Sequence, residues 1–221
     1  MNYIELARAV RRRLGIQGSG PSSVDTTIPI ERQILKAVSD VYIDIQNINP
    51  NWKWMRSSAS FNTIAGTTEY SLATILTPTY RFSRWLPHTF YITVNSKKSR
   101  LYYVEYDTFQ YRFANNTTNG KFSEFTIKPM NKSIVIPRPD SIYTITCDYQ
   151  KSAQVLSGNT DTPELPIQFH NVILYGAMEG MGVSVASPEE QMYNAQKFVE
   201  GVGQLMRREI PETKTNVRSI A

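Results

Sequence analysis

The apolar residues Ile34, Val38, Val41, Ile45 and Ile48 recur at alternating spacings of four and three, which puts them on one stripe of a helix predicted over Ile30–Asn49. Leu35 and Tyr42 lie on an adjoining stripe, so this helix is expected to pack on more than one neighbour. Asn49-Pro50 ends it, because proline lacks the N–H and disfavours helical backbone at the residue before it. Trp52 and Trp54 then read as core indoles rather than stacking platforms. Upstream, Ile4, Leu6, Ala7, Val10 and Leu14 predict a short amphipathic helix over Asn2–Leu14, stopped by Gly15 and followed by a polar Gly, Ser, Pro and Thr connection to Pro29.

After Arg56 the period changes from helical to two. Phe90, Ile92 and Val94 alternate with Tyr91 and Thr93, Phe109, Tyr111 and Phe113 with Gln110 and Arg112, and Tyr143, Ile145, Cys147 and Tyr149 with Thr144, Thr146 and Asp148. Each run predicts a strand with one buried face. Phe61 to Tyr70, turning at Ala65-Gly66-Thr67, reads as a hairpin. Turn clusters fall at Asn95-Ser96-Lys97-Lys98, Asn115 to Gly120, Met130-Asn131-Lys132 and Pro137-Arg138-Pro139-Asp140. Helical spacing returns after Pro166 with Phe169, Val172, Ile173, Ala177, Gly180 and Met181, where Gly176 and Gly180 would allow close approach of another helix. Ser187-Pro188-Glu189-Glu190 is a capping box with proline at the first helical position, and Met192, Ala195, Val199, Val202 and Met206 repeat at helical spacing behind it until Pro211.

The predicted class is therefore α+β: a small helical bundle built from both chain ends, with an antiparallel β subdomain inserted between its halves. The expected divisions are 1–55 and 152–210 for the bundle, 56–151 for the β subdomain and 211–221 for an extended arm. The expected bundle core is Ile34, Val38, Val41, Ile45, Val199, Val202 and Met206, with the Ile30 helix packed directly on the Ser187 helix.

The 221 residues are 41% hydrophobic, enough for a sizeable core, and the net charge of +5 with a pI of about 9.2 permits contact with DNA or an acidic protein surface. Arg11, Arg12 and Arg13 fall in the last turn of their helix, where cations complement the helix dipole. The other reading makes them, with Lys97 and Lys98, candidate contacts to DNA phosphate. The single Cys147 excludes an internal disulfide and a cysteine metal cluster, and points to a reducing compartment. The amino terminus lacks the layout of a signal peptide, and no run is long and apolar enough to cross a bilayer, so the glycosylation sequons at Asn115, Asn116 and Asn131 are read as chance.

Catalytic patterns are missing from the sequence. His88 and His170 are isolated from any metal spacing, no Gly-x-Ser-x-Gly elbow occurs, and Gly18-Ser19-Gly20 is not followed by the Gly-Lys-Ser/Thr of a phosphate loop. Asp161 and Glu164 flank prolines and read as loop and cap carboxylates. No catalytic residue, metal or cofactor is expected.

The run Ile134-Val135-Ile136-Pro137-Arg138-Pro139-Asp140-Ser141-Ile142-Tyr143, then Asp148-Tyr149-Gln150-Lys151, Leu156 and Asp161-Thr162-Pro163-Glu164-Leu165-Pro166-Ile167-Gln168-Phe169-His170, resembles the head-to-tail adaptor (connector) proteins of tailed bacteriophages. The arginine-tipped first helix, Gly18-Ser19-Gly20-Pro21, Asp44-Ile45-Gln46 and the segment from Trp52 to Arg56 extend the likeness over most of the chain. The resemblance implies a virion structural protein of the neck, made in the host cytoplasm. Its copies would form a dodecameric ring that docks on the portal, meets a tail or nozzle component, and lets double-stranded DNA pass unread through the lumen. It also implies an extended carboxyl-terminal arm that grips the portal, in which Val217 and Ile220 would fill apolar pockets while Lys214 and Arg218 meet acidic groups. Two other classes stay open on the residues alone. A DNA-binding module would need Arg11 to Arg13, Lys97, Lys98 and Arg100 in one patch, and a ligand- or carbohydrate-binding tail protein would need an exposed aromatic cleft among Tyr102, Tyr103 and Tyr106.

Overall fold

The fold is seen in a computed structural model that describes residues 1–76, 81–185, except the side chains of 182–185, and 187–210. The predicted arm, 211–221, with Lys214, Val217, Arg218 and Ile220, lies outside the described residues. In chain order the described elements are α1 (Tyr3–Arg13), α2 (Pro29–Ile48), β1 (Arg56–Asn62), β2 (Glu69–Tyr70), α3 (Leu72–Ile75), β3 (Arg84–Trp85), β4 (Tyr91–Val94), β5 (Lys97–Arg100), β6 (Tyr102–Tyr103), α4 (Tyr106–Phe113), β7 (Glu124–Ile127), β8 (Ile134–Val135), β9 (Thr144–Gln150), α5 (His170–Val185) and α6 (Pro188–Glu209). The class is α+β, in two compact units: Met1–Met55 with the chain from Ala153, and Arg56–Ser152.

In the helical unit, α1 starts with a capping box in which Asn2 Oδ1 accepts from Glu5 N and the Glu5 carboxylate accepts from Asn2 N, both at 2.9 Å. On α2, Ile34, Val38 and Ile45 are fully buried on the first stripe and Leu35 and Tyr42 on the second, while Val41 is half-buried and Ile48 exposed. Trp52 is fully buried and its Nε1 donates to the carbonyls of Ile45 and Gln46, both at 3.1 Å. It thereby satisfies acceptors that the end of α2 leaves without intrahelical partners.

The expected direct seam between α2 and α6 gives way to a different arrangement, in which α5 packs on α1, α2 and α6 and stands between the last two. Val172, Ile173, Leu174, Ala177, Met178 and Met181 of α5 are buried on several sides, as befits a helix surrounded by others. Gly176 makes the approach possible: a β-carbon there would stand 2.6 Å from Val41 Cγ1 on α2 and 2.9 Å from the Phe198 ring on α6. Gly201 of α6 plays the reciprocal part, since a β-carbon there would meet Val172 at 2.7 Å, whereas Gly180 has open space around it and serves no close approach.

In the β unit, one sheet runs β1-β9-β4-β5 with β3 also pairing β9, and a second runs β2-β8-β7-β6. The alternation over Tyr143 to Tyr149 becomes β9, whose Ile145, Cys147 and Tyr149 are buried. Asn95 and Ser96, both at positive φ, form a two-residue turn joining β4 to β5. Phe61 and Tyr70 do not share a hairpin: β1 pairs β9 and β2 pairs β8, and the two rings touch at 5.1 Å in the common core.

The stretch from Phe109 to Phe113 is helix α4 rather than a strand. Glu105 caps it by accepting from Thr108 N, Phe109 and Phe113 lie one turn apart with ring centroids at 4.7 Å, and Tyr111 points outward at 91% exposure. This helix connects β6 to β7, which pair in parallel, so the second sheet is mixed rather than antiparallel.

Candidate assembly interface

The capping box predicted at the start of α6 is present: Ser187 Oγ accepts from Glu190 N at 3.3 Å and the Glu190 carboxylate accepts from Ser187 N at 3.1 Å. With its phase fixed there, α6 turns Asn194, Phe198, Gly201, Val202 and Leu205 toward its own unit. The predicted stripe lies to one side of that face. Val199, expected in the bundle core, is 68% exposed and Met192 is 75% exposed, while Ala195 and Met206 are only half-covered and Val202 alone is buried. A helix whose apolar sector is wider than its main neighbour α5 covers leaves the remainder to solvent.

Beside this stripe stands a stacked cluster. The Arg13 guanidinium lies over the Tyr175 ring at 5.3 Å and donates to Asn171 Oδ1 at 3.3 Å, Tyr175 meets Tyr193 edge-on at 6.4 Å, and Lys197 lies over Tyr193 at 5.8 Å while pairing with Glu200 at 2.8 Å. Glu200 holds the Lys197 ammonium in its charged form, which raises the lysine pKa, and the same pair lowers that of Glu200.

The three arginines read together have separate fates. Arg11 is withdrawn from any phosphate: it is buried, with Nη1 2.6 Å from Glu31 Oε1 and Nη2 donating to the Gln17 carbonyl. Thr26 Oγ1 donates to the other Glu31 oxygen at 2.7 Å. Gly18 and Gly20, both at positive φ, pack on Arg11 and Arg8, so the Gly-Ser-Gly run lays the connection over these arginines. Arg13 is engaged as above, and Arg12 is exposed. Lys97 and Lys98 belong to the other unit, on the edge strand β5, whose residues are all exposed. Lys98 lies over the Tyr91 ring at 4.6 Å, and lysines on an open edge discourage unwanted strand pairing.

Among the described residues no group of three or more His, Cys, Asp or Glu side chains could hold a metal ion, and no helix is long and apolar enough to cross a membrane. Cys147 is buried, which pushes its thiol up to about 12 and leaves it a packing group. His170 is 2% exposed and its Nε2 donates to the Leu165 carbonyl at 3.0 Å; burial lowers its pKa and keeps the ring neutral. Asp161 accepts from Ser157 N and Gly158 N at 2.8 and 2.7 Å, the loop role read from its sequence, and these bonds lower its pKa. Tyr102 and Tyr103 are exposed on β6.

Met192 and Val199 thus leave an apolar edge of α6 uncovered in the single chain. The chain belongs to the SU10 adaptor protein family, whose model matches residues 1–219, and is thus a phage adaptor of structural kind. No curated protein matches it.

Proposed function

We propose that this protein is a head-to-tail adaptor whose copies form a ring docked on the portal at the virion neck, joining the capsid to the tail with double-stranded DNA passing unread through the lumen. The observation that carries this reading is the exposure of Met192 and Val199 on α6, on either side of the half-covered Ala195. A ring built by rotation uses heterologous contacts, each copy presenting two unlike surfaces, and an apolar helix edge bordered by the Tyr193 and Lys197 cluster is suited to be one of them. The β unit, whose turns carry Asn, Thr, Lys and Ser, faces the next tail component or a neighbouring copy.

Val199→Asp tests the ring. The side chain is mostly in solvent in a single chain, so the thermal melt of the monomer should stay within about 0.5 kcal/mol of the parent, the range of ordinary surface substitutions. Sedimentation or native mass should show the ring reduced to single chains, and an unchanged ring mass refutes the role of this stripe. In the same reading Lys214, Val217, Arg218 and Ile220 form the portal-gripping arm. Truncation after Ile210 should leave the fold and melt unchanged and abolish co-migration with portal rings; retained portal affinity removes the arm from the proposal.

A further inference from the structure

Two cavities of the β unit adjoin along a shared wall. The first, about 410 Å³, is bounded by Arg112, Lys121 and the Asn116 to Gly120 turn; the second, about 460 Å³, by Phe109, Gln110 and Val135. Phe113, Asn116, Pro137 and Arg138 line both. Arg138 Nε is buried without a hydrogen-bond partner, and no carboxylate among the described residues pairs with its guanidinium. The neighbouring acids are engaged with other residues: Glu124, on the wall of the first cavity, accepts from Arg112 through Oε1 at 3.1 and 3.2 Å, and Asp140 accepts from the Tyr143 hydroxyl at 2.5 Å. Lys121, on the rim, is exposed. A partly desolvated cation with no counter-charge is costly, and its retention calls for a partner from outside.

The backbone holds this guanidinium in place. Pro137 and Pro139 flank Arg138 and fix their own φ angles. Gly120 N donates to the Arg138 carbonyl, and Gly66 N to that of Pro139, both at 2.9 Å. Gly66, at φ +78°, lets its loop lie against the arginine, where a β-carbon would stand 3.5 Å from Nη2. A prearranged fork of this kind matches a planar carboxylate, which it can hold through two parallel hydrogen bonds.

We propose that the recess around Arg138 and Lys121 receives an acidic side chain, Asp or Glu, presented on a loop of a partner protein. Its concavity favours that source over nucleic acid, because a side chain on a protruding loop enters a pocket that a phosphate on the convex face of a duplex does not. The proposal rests on the chain being a docking protein, but the recess can be probed without any assembly partner, so its failure is separate from that of the ring.

The test is fluorescence anisotropy of a labelled tetraglutamate peptide on the full-length protein at fixed, low ionic strength, with unlabelled N-acetylglutamate, inorganic phosphate and a short DNA duplex as competitors. Saturable binding is expected, weakened at least tenfold by Arg138→Gln and severalfold by Lys121→Gln, and displaced by N-acetylglutamate and by phosphate as small anions of like chemistry. Hydrogen exchange should slow on peptide binding in 112–124 and 136–140 alone. Arg138→Gln should melt no lower than the parent, because it removes a partly desolvated cation that lacks a counter-charge; a purely structural arginine would instead lower the melt and leave peptide affinity untouched. Should Arg138→Gln fail to fold, the exposed Lys121→Gln carries the binding measurement. Equal peptide binding by parent and variants overturns the proposal, as does displacement by duplex alone, which would assign the recess to nucleic acid.

Discussion

Val38→Asp should abolish the cooperative melt of the helical unit, seen as loss of the far-UV helical signal at temperatures where the parent is folded. Val38 is fully buried at the centre of the α2 stripe, among residues of the core that α1, α2 and α5 share. A carboxylate placed there has no designed cation to meet. Several kcal/mol of burial cost, whether taken as a buried charge or as a protonated acid, compares with a total stability of roughly 5–15 kcal/mol. The intervening α5 changes the partner of this helix but not the outcome, because α2 is buried against α5 just as it would have been against α6. A melt matching the parent would show that the stripe is not sealed. Val199→Asp, with the same chemistry on α6, should leave the monomer melt alone, and the contrast separates core from surface on two helices with equally regular stripes.

Glu31→Ala should lower stability by about 3–5 kcal/mol, the usual consequence of removing one partner from a buried ion pair. The loss follows from what stays behind. Arg11 and Glu31 side chains are 11% and 6% exposed, and without the carboxylate the guanidinium keeps its charge and retains only the Gln17 carbonyl as a hydrogen-bond partner. Thr26 would lose its acceptor in the same step, loosening the connection that Gly18 and Gly20 lay over α1. For a chain of this length the melting temperature should fall on the order of 6–20 °C. The double variant Arg11→Met with Glu31→Leu should recover most of that loss, because it removes both charges and keeps the volume. Denaturant titrations of Arg11→Met, Glu31→Leu and the double close the cycle, and additive effects would show that the two residues do not act as a pair.

Local chemistry made much of this architecture legible. The α2 stripes, the stop at Asn49-Pro50, the capping box at Ser187 and the alternation of β9 depend on residues a few positions apart, whose spacing maps directly onto helix or strand geometry. The two-residue turn at Asn95-Ser96 falls within a predicted turn cluster for the same reason. Phe109, Tyr111 and Phe113 misled because every second residue is aromatic in a stretch that also satisfies helical spacing through Phe109 and Phe113. The Glu105 cap and the need for a crossover between the parallel strands β6 and β7 resolved the ambiguity.

The candidate surfaces were less legible than the fold. Spacing identifies an apolar face without saying what covers it, so Val199 read as core although α6 is wider in its apolar sector than α5 can shield. The three arginines read as one basic run, yet Glu31, twenty residues away, takes Arg11 out of the surface. Arg138 looked like a turn residue between prolines, and only the loops folded around it make it a cation without a counter-charge. The sequence by itself determined α1, α2, α5, α6 and β9 and which of their faces are apolar, since those follow from short-range spacing and capping, while α4 needed its crossover context. The tertiary structure alone decided which of those faces are covered and which charges are paired, because burial and pairing depend on groups brought together from distant parts of the chain.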